Sequence, residues 1–313
     1  MPSLLKVLIL AVVQGLAELL PVSSSAHVVV AEKLLGMDPS SPQMTLVLVM
    51  LHTGTMFSVI VYFWSQWKRA YFTTAYAFKR FVVRAAWATV LTGVVGYPII
   101  EIIEHTAFKG HSKGEIEMLF SRLDLIAPAL LAAGLLILFS GLRERANAEP
   151  ARPDYERSIV LTGENVTFAQ AGWMGAIQGL CLPFRGFSRS GATISVGLLL
   201  SATRQRAEQF SFALAVIITP LAIAREAARL LKASHAASVI GQPLDLHGSV
   251  MAALVGMVFS FFAGLAALRW LSSWLEHGRW YLFGIYCLVA GLAVYFLYLH
   301  PTLLPPPPPR IGY

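Results

Sequence analysis

The sequence predicts an all-α polytopic membrane protein with six transmembrane helices and two re-entrant helix-loop-helix hairpins in an inverted-topology repeat. Three observations predict it. The 313 residues are 56% AVILMFWYC and only 13% charged, with a mean hydropathy of +0.64, which is too apolar for an ordinary soluble domain. Six apolar stretches reach the roughly 20 residues that a helix needs to cross about 30 Å of hydrocarbon. Two further pairs of apolar stretches, each pair flanking a polar loop, fall short of a comfortable crossing.

In chain order, the first short stretch is 7–20. It carries Gln14 and Glu18 inside its apolar run and lacks a small-residue cleavage site, so it reads as mature protein rather than a signal peptide. The polar loop 21–27 (PVSSSAH) and the short stretch 28–36 complete a hairpin that enters and leaves on one side. Spans are then expected at 44–63, 85–103 and 123–142. After a connection at 143–165, the borderline stretch 166–182, the loop 183–191 (PFRGFSRSG) and the short stretch 190–202 form a second hairpin. Three more spans follow at 208–231, 248–268 and 280–299. The fourth span is the weakest, because Arg225, Glu226 and Arg229 interrupt its far end. Residues 1–304 thus form one membrane domain, with repeats at about 1–142 and 166–300. The Pro-rich tail 305–313 reads as an extended, disordered end.

Basic residues are enriched in cytoplasmic loops. The segment 64–84 holds Lys68, Arg69, Lys79, Arg80 and Arg84 and no acid. Placed on one side with 143–165, 203–208 and 269–279, it gives that face more than half of the 24 basic residues. That face is expected to be cytoplasmic, with both termini and the mixed-charge loop 104–122 outside. The surplus of 24 Lys and Arg over 17 Asp and Glu sits in gaps between apolar stretches, which sets aside nucleic acid as a partner. Cys181 and Cys287 lie in apolar runs without a C-x-x-C pair, so neither a disulfide nor a zinc site is expected.

The two hairpins resemble each other. AVVQGLAELLPVSSSAH at 11–27 and GAIQGLCLPFRGFSRSGAT at 175–193 both run through Gln-Gly-Leu to a proline and a serine-rich loop. Irregular backbone at membrane depth requires protein or water to satisfy it, and broken helices paired this way bring their ends together near the midplane. In the first hairpin, Gln14 and Glu18 share a helix face, and an intramembrane carboxylate is a functional candidate by default. Ser23, Ser24 and Ser25 precede an apolar run, where a serine is expected to cap the helix. A helix start also seats phosphate. Ser24 and His27, three apart, could form an activated nucleophile. The second loop offers Ser188, Arg189, Ser190 and Thr193. Arg189 can clamp a phosphate bidentately, and Gly191 would let backbone approach the ligand. Arg185 reads equally as an interfacial anchor, and His52, in LHTGT, more readily as a core histidine than as a site residue. The combined loops suggest phosphoryl transfer, with a transporter of a lipid phosphate or other anion as the competing reading.

At this point a family resemblance applies. QGLAELLPVSSSAH at 14–27 and GFSRSGATIS at 186–195, supported by LHTGTMFSVIVYFW at 51–64 and EQFSFALAV at 208–216, resemble the signature regions of the undecaprenyl-diphosphate phosphatase family of the bacitracin-resistance type. The resemblance implies hydrolysis of a polyprenyl diphosphate to the monophosphate carrier and inorganic phosphate, for cell-wall synthesis, on the outer face of the bacterial inner membrane. It also implies a divalent metal, Mg²⁺ or Ca²⁺, shared with the diphosphate. Matched position by position, Glu18 takes the place of the family's essential acid, Gln14 its partner, Ser24 the proposed nucleophile, His27 the general acid/base and Arg189 the phosphate-binding arginine; Glu18 helped by Gln14 is expected to bind the metal, with Gln14 also toward the substrate. Ser23, Ser25, Ser188, Ser190 and Thr193 fall on polar substrate-binding positions. Water activated by Glu18 or His27 is the alternative to attack by Ser24. Two departures stand out. Ala26 replaces a glycine before the histidine, and Phe184 and Arg185 separate Pro183 from Gly186. The expected partners are the polyprenyl diphosphate and membrane lipids, and the sequence leaves the oligomeric state, homo-oligomer included, open.

Overall fold

A computed structural model describes residues 3–37, 42–107, 122–146, 166–239, 246–276 and 279–305. All its regular elements there are helical: α1 (Leu4–Leu19), α2 (Ser24–Leu34), α3 (Pro42–Tyr71), α4 (Ala75–Ala107), α5 (Leu123–Ala146), α6 (Phe168–Cys181), α7 (Arg189–Leu199), α8 (Arg204–Val239), α9 (Leu246–Glu276) and α10 (Trp280–Leu299). Most of the mixed-charge loop 104–122 expected outside, of the connection 143–165 and of the tail 305–313 lie outside the described residues.

Length separates the helices into two kinds. α1 and α2 have 16 and 11 residues, and α6 and α7 have 14 and 11, so none exceeds about 24 Å at 1.5 Å per residue. Each is too short to cross about 30 Å alone. By contrast Met44–Tyr71, Ala75–Ile103, Leu123–Ala146, Val250–Leu271 and Trp280–Leu299 are long and apolar enough to cross a membrane. The stretch expected as the fourth span lies in α8, which is long but falls outside this set. Its early turns bury Glu208, Gln209 and Ser211, and Pro220 sits inside it. The basic segment 64–84 is not a loop either. Residues 72–74 alone join α3 to α4, with Thr74 Oγ1 accepting from the Ala77 amide at 3.1 Å, so most of its cations ride on helix ends.

The helix ends follow local chemistry. α6 opens with a capping box, in which Thr167 Oγ1 accepts from the Gln170 amide at 3.2 Å and Gln170 Oε1 from the Thr167 amide at 2.8 Å. α2 and α7 end alike: Gly36 (φ 60°) and Ser201 (φ 63°) adopt the left-handed conformation two residues past the last helical residue. The bonds Met37 N–H to Glu32 O and Ala202 N–H to Gly197 O are both 2.9 Å, closing Schellman-type ends.

Packing is reciprocal between the chain's halves. α1 packs on α9 and α6 on α4, while α5 pairs with α10 and α3 with α8 and α9. At Gly15 an added Cβ would lie 2.8 Å from Ser260 O and 3.1 Å from Gly264 N; at Gly179 it would lie 2.6 Å from Thr92 O and 3.0 Å from Gly96 N. Each Gln-Gly pair therefore presses its backbone onto a Ser/Thr-x-x-x-Gly stripe, an approach that only glycine permits. Between the halves, Phe63 stacks on Phe212 with centroids 5.2 Å apart, and the buried Trp280 Nε1–H reaches Ser140 Oγ at 3.2 Å and Ser195 Oγ at 3.1 Å. Outside, Trp64, Val94, Leu135, Phe262 and Leu292 are left uncovered, as suits a surface that faces lipid.

Candidate active site

Two helix starts converge on one carboxylate. Ser24 and Arg189 are the first residues of α2 and α7, the two 11-residue helices, and both donate to Glu18 near the end of α1. Arg189 Nη2 reaches Glu18 Oε1 at 2.9 Å, across 171 residues of sequence, and the Ser24 hydroxyl bonds Glu18 Oε2. Gln14 Nε2 donates to the same Oε2 at 3.2 Å, as their four-residue spacing on one helix face requires. The side chains of Glu18 and Arg189 are only 16% and 25% exposed. An ion pair this sheltered holds its geometry because each partner's charge would be costly alone. Arg189 Nη1 is buried and has no hydrogen-bond partner among the described residues. The guanidinium therefore keeps a donor for a further anion after satisfying Glu18.

His27 stands apart from Ser24. Its Nδ1 lies 2.8 Å from the Ser23 carbonyl, so Nδ1 carries the proton, and Nε2 accepts from the Tyr286 hydroxyl at 2.7 Å. The imidazole also stacks on the Tyr286 ring, at 5.6 Å and 13°. The Ser24–His27 pair expected from spacing is not formed: the carboxylate takes the serine proton's direction, and the imidazole is spent on the loop and α10. The serine cap is absent as well. Ser23 sits at the N-cap of α2 with φ 68° and no side-chain cap bond, its hydroxyl 3.4 Å from that of Ser25.

In the second loop Ser188 does cap, accepting from the Gly191 amide at 3.2 Å. A Cβ on Gly191 would meet Ile137 Cδ1 at 2.6 Å and Ser188 Oγ at 2.9 Å, so a side chain there would crowd this cap and its packing. Thr193 is fully buried and bonds the Arg189 carbonyl at 2.8 Å and Ser211 Oγ at 2.6 Å. Ser190 is buried, 3.5 Å from the Leu20 carbonyl. These hydroxyls hold the loops together. The departures in sequence are absorbed: Ala26 lies within α2 and is buried, so its position needs no glycine freedom, and the left-handed turn falls on Gly186 (φ 111°), where a Cβ would meet Ile126 O at 2.6 Å.

His52, read as a core residue, is at the site. With Glu18 and Arg189 it lines a narrow, open-mouthed cleft between α3 and α8, whose walls include Met56, Val59, Ala215 and Val216. Its Nδ1 donates to the Leu48 carbonyl at 2.8 Å, and its Nε2 is 3.8 Å from Glu18 Oε2. Tyr286 also escapes sequence reasoning, since nothing in its surroundings along the chain marks it, and Ser211 was legible only as part of the EQFSFALAV segment at 208–216. For a metal, Gln14 Oε1 is buried and unpartnered beside Glu18, giving two hard oxygen donors that suit Mg²⁺ or Ca²⁺. No group of three or more His, Cys, Asp or Glu among the described residues could hold an ion by itself.

Fold and site together define a multi-pass membrane protein with a charged centre built from the ends of short helices. Its family is shown by comparison: residues 7–293 match the family described as bacitracin resistance protein BacA, and the chain belongs to it. It is 55% identical to "Undecaprenyl-diphosphatase 2" of Acinetobacter baylyi over 91% of this chain and 95% of that one. It is 32% identical to "Undecaprenyl-diphosphatase 2" of Burkholderia ambifaria, over 96% and 99%, and 33% identical to "Undecaprenyl-diphosphatase 1" of Burkholderia pseudomallei, over 93% and 95%.

Proposed function

We propose that the chain hydrolyses undecaprenyl diphosphate to undecaprenyl phosphate and inorganic phosphate, recycling the lipid carrier for cell-wall synthesis. The observation that carries this reading is the meeting of Glu18, Ser24 and Arg189, from three helix ends in two distant loops, in a chain whose relatives bear the name undecaprenyl-diphosphatase. The diphosphate would take the donors of Arg189 and the starts of α2 and α7, where backbone N–H groups favour an anion. The isoprenoid would lie along Met56, Val59, Ala215 and Val216. Catalysis then amounts to positioning and to offsetting spread negative charge. Two hydroxyls meet the requirement for attack: that of Ser24, whose proton would pass to Glu18, and that of water. Glu18 and Gln14 would hold a Mg²⁺ or Ca²⁺ with the substrate supplying the remaining ligands; such a metal neutralises phosphate charge.

The same reading has α1–α2 and α6–α7 as re-entrant hairpins and α8 as the sixth crossing, with the halves inverted in the bacterial inner membrane and the site open to the periplasm. The reciprocal packing, the matched ends of α2 and α7, and the basic residues at 64–84 support it. The test is inorganic phosphate release from a C55 or C15 polyprenyl diphosphate by detergent-purified protein, with and without Mg²⁺ or Ca²⁺, beside Arg189→Ala. Metal-dependent release that disappears with Arg189 is the expected outcome. No release from folded, metal-supplied protein would turn the reading to lipid-phosphate transport.

A further inference from the structure

We propose that His52 is a catalytic residue of this chain, the base that takes the proton of a water attacking the terminal phosphorus. The proposal rests on the diphosphatase reading and deepens it. Three observations converge on it. First, of the two histidines near the centre, only His52 lines the cleft with Glu18 and Arg189; the Nε2 of His27 is occupied by Tyr286 at 2.7 Å. Second, the Nδ1–H of His52 is committed to the Leu48 carbonyl at 2.8 Å, which leaves the lone pair on Nε2, the atom that faces Glu18. Third, the 3.8 Å between Nε2 and Glu18 Oε2 is too long for a hydrogen bond, yet an oxygen at about 2.8 Å from both atoms fits across it. A water there is held by two acceptors, as its two protons allow.

Ser24 is 9% exposed and is not part of the cleft wall, so a phosphorus held in the cleft is reached more directly by a water on His52. The bond from Ser24 to Glu18 Oε2 then serves to fix the carboxylate. In the step, the water oxygen forms a bond to the terminal phosphorus as the bond from that phosphorus to the bridging oxygen breaks. One water proton passes to His52 Nε2, and the bridging oxygen leaves with the polyprenyl monophosphate. The imidazolium then returns its proton to the departing phosphate or to solvent, and inorganic phosphate is released.

The experiment uses the full-length protein in detergent with C15 polyprenyl diphosphate. His52→Ala should lower kcat about 100-fold or more while KM stays within a few-fold, the range expected for loss of a general base. Added free imidazole should restore part of the rate to His52→Ala and none to Arg189→Ala. His52→Asn, whose amide can keep the bond to Leu48 while offering no base, should be as slow as His52→Ala and melt like the native chain, which covers a folding defect in the alanine variant. Acid-quenched turnover mixtures should contain no phosphoserine at Ser24 by mass spectrometry. Near-native turnover in His52→Asn, or a kinetically competent phosphoserine, overturns the proposal and leaves the phosphatase reading standing. Absence of phosphate release from the native chain overturns that reading first.

Discussion

At the scale of single residues, the site is organised around Glu18, whose two oxygens receive Arg189, Ser24 and Gln14. Arg189 must serve the carboxylate and an incoming phosphate at once, which needs a planar fork of donors rather than a point charge. Arg189→Lys is therefore expected to lose about 100-fold in kcat/KM, on the scale of removing one donor from a preorganised anion site; phosphate-release kinetics would show it, and a near-native lysine variant would contradict the two-anion role. Tyr286→Phe withdraws the donor from His27 Nε2. A hydrogen bond of this kind contributes about 1 kcal/mol net, so a modest loss of melting temperature is expected, with kcat reduced by well under 100-fold. A collapse as deep as that of Arg189→Ala would instead make His27 a direct participant. Sequence pointed to Glu18, Gln14, Ser24 and Arg189 because an intramembrane charge or a serine-rich loop is legible one residue at a time. It mispaired Ser24 with His27, because spacing places two residues on a turn without saying which neighbour from another helix competes for each.

At the scale of elements, the short helices matter most through their ends. Ser188 caps α7 and so fixes the residue that follows it, Arg189. Ser188→Ala should cost about 1 kcal/mol of stability and raise KM more than it lowers kcat, since the guanidinium is misplaced rather than removed; parallel melting and steady-state kinetics would separate the two. Gly15 and Gly179 seat the hairpins on their neighbours. Alanine at either position overpacks a backbone contact, for which about 1–3 kcal/mol is the expected cost, and thermal unfolding in detergent should show similar losses at the two sites. A large loss at one and none at the other would argue against their equivalent roles. The two pairs of short helices were legible from apolar length and the repeated Gln-Gly-Leu. The course of 64–84 was not, because charge suggests a loop while nothing in 64–71 breaks a helix, and α3 simply continues to Tyr71.

At the scale of the whole molecule, the halves exchange support: each short helix of the Gln-Gly pair leans on a long helix from the other half of the chain. The candidate site, with Glu18 and Ser24 from one half and Arg189 from the other, consequently forms only when both halves are docked, and among the described residues it offers a metal few ligands of its own. Chelation by EDTA should leave the melting temperature of the substrate-free protein unchanged while abolishing turnover; a marked fall in stability would reveal a tight resident ion and a fuller ligand set than Gln14 and Glu18.

By itself the sequence determined the class of the protein, since apolar length, charge placement and a repeated motif are properties of the chain that the bilayer reads directly. It also determined the chemical vocabulary of the site. Only the tertiary structure decided the grammar: that Ser24 answers to Glu18, that His27 is held by Tyr286, and that His52 faces the cleft. These are contacts between helices far apart in sequence. Their outcome depends on which of several nearby donors and acceptors packing brings within about 3 Å, and no local pattern records that choice.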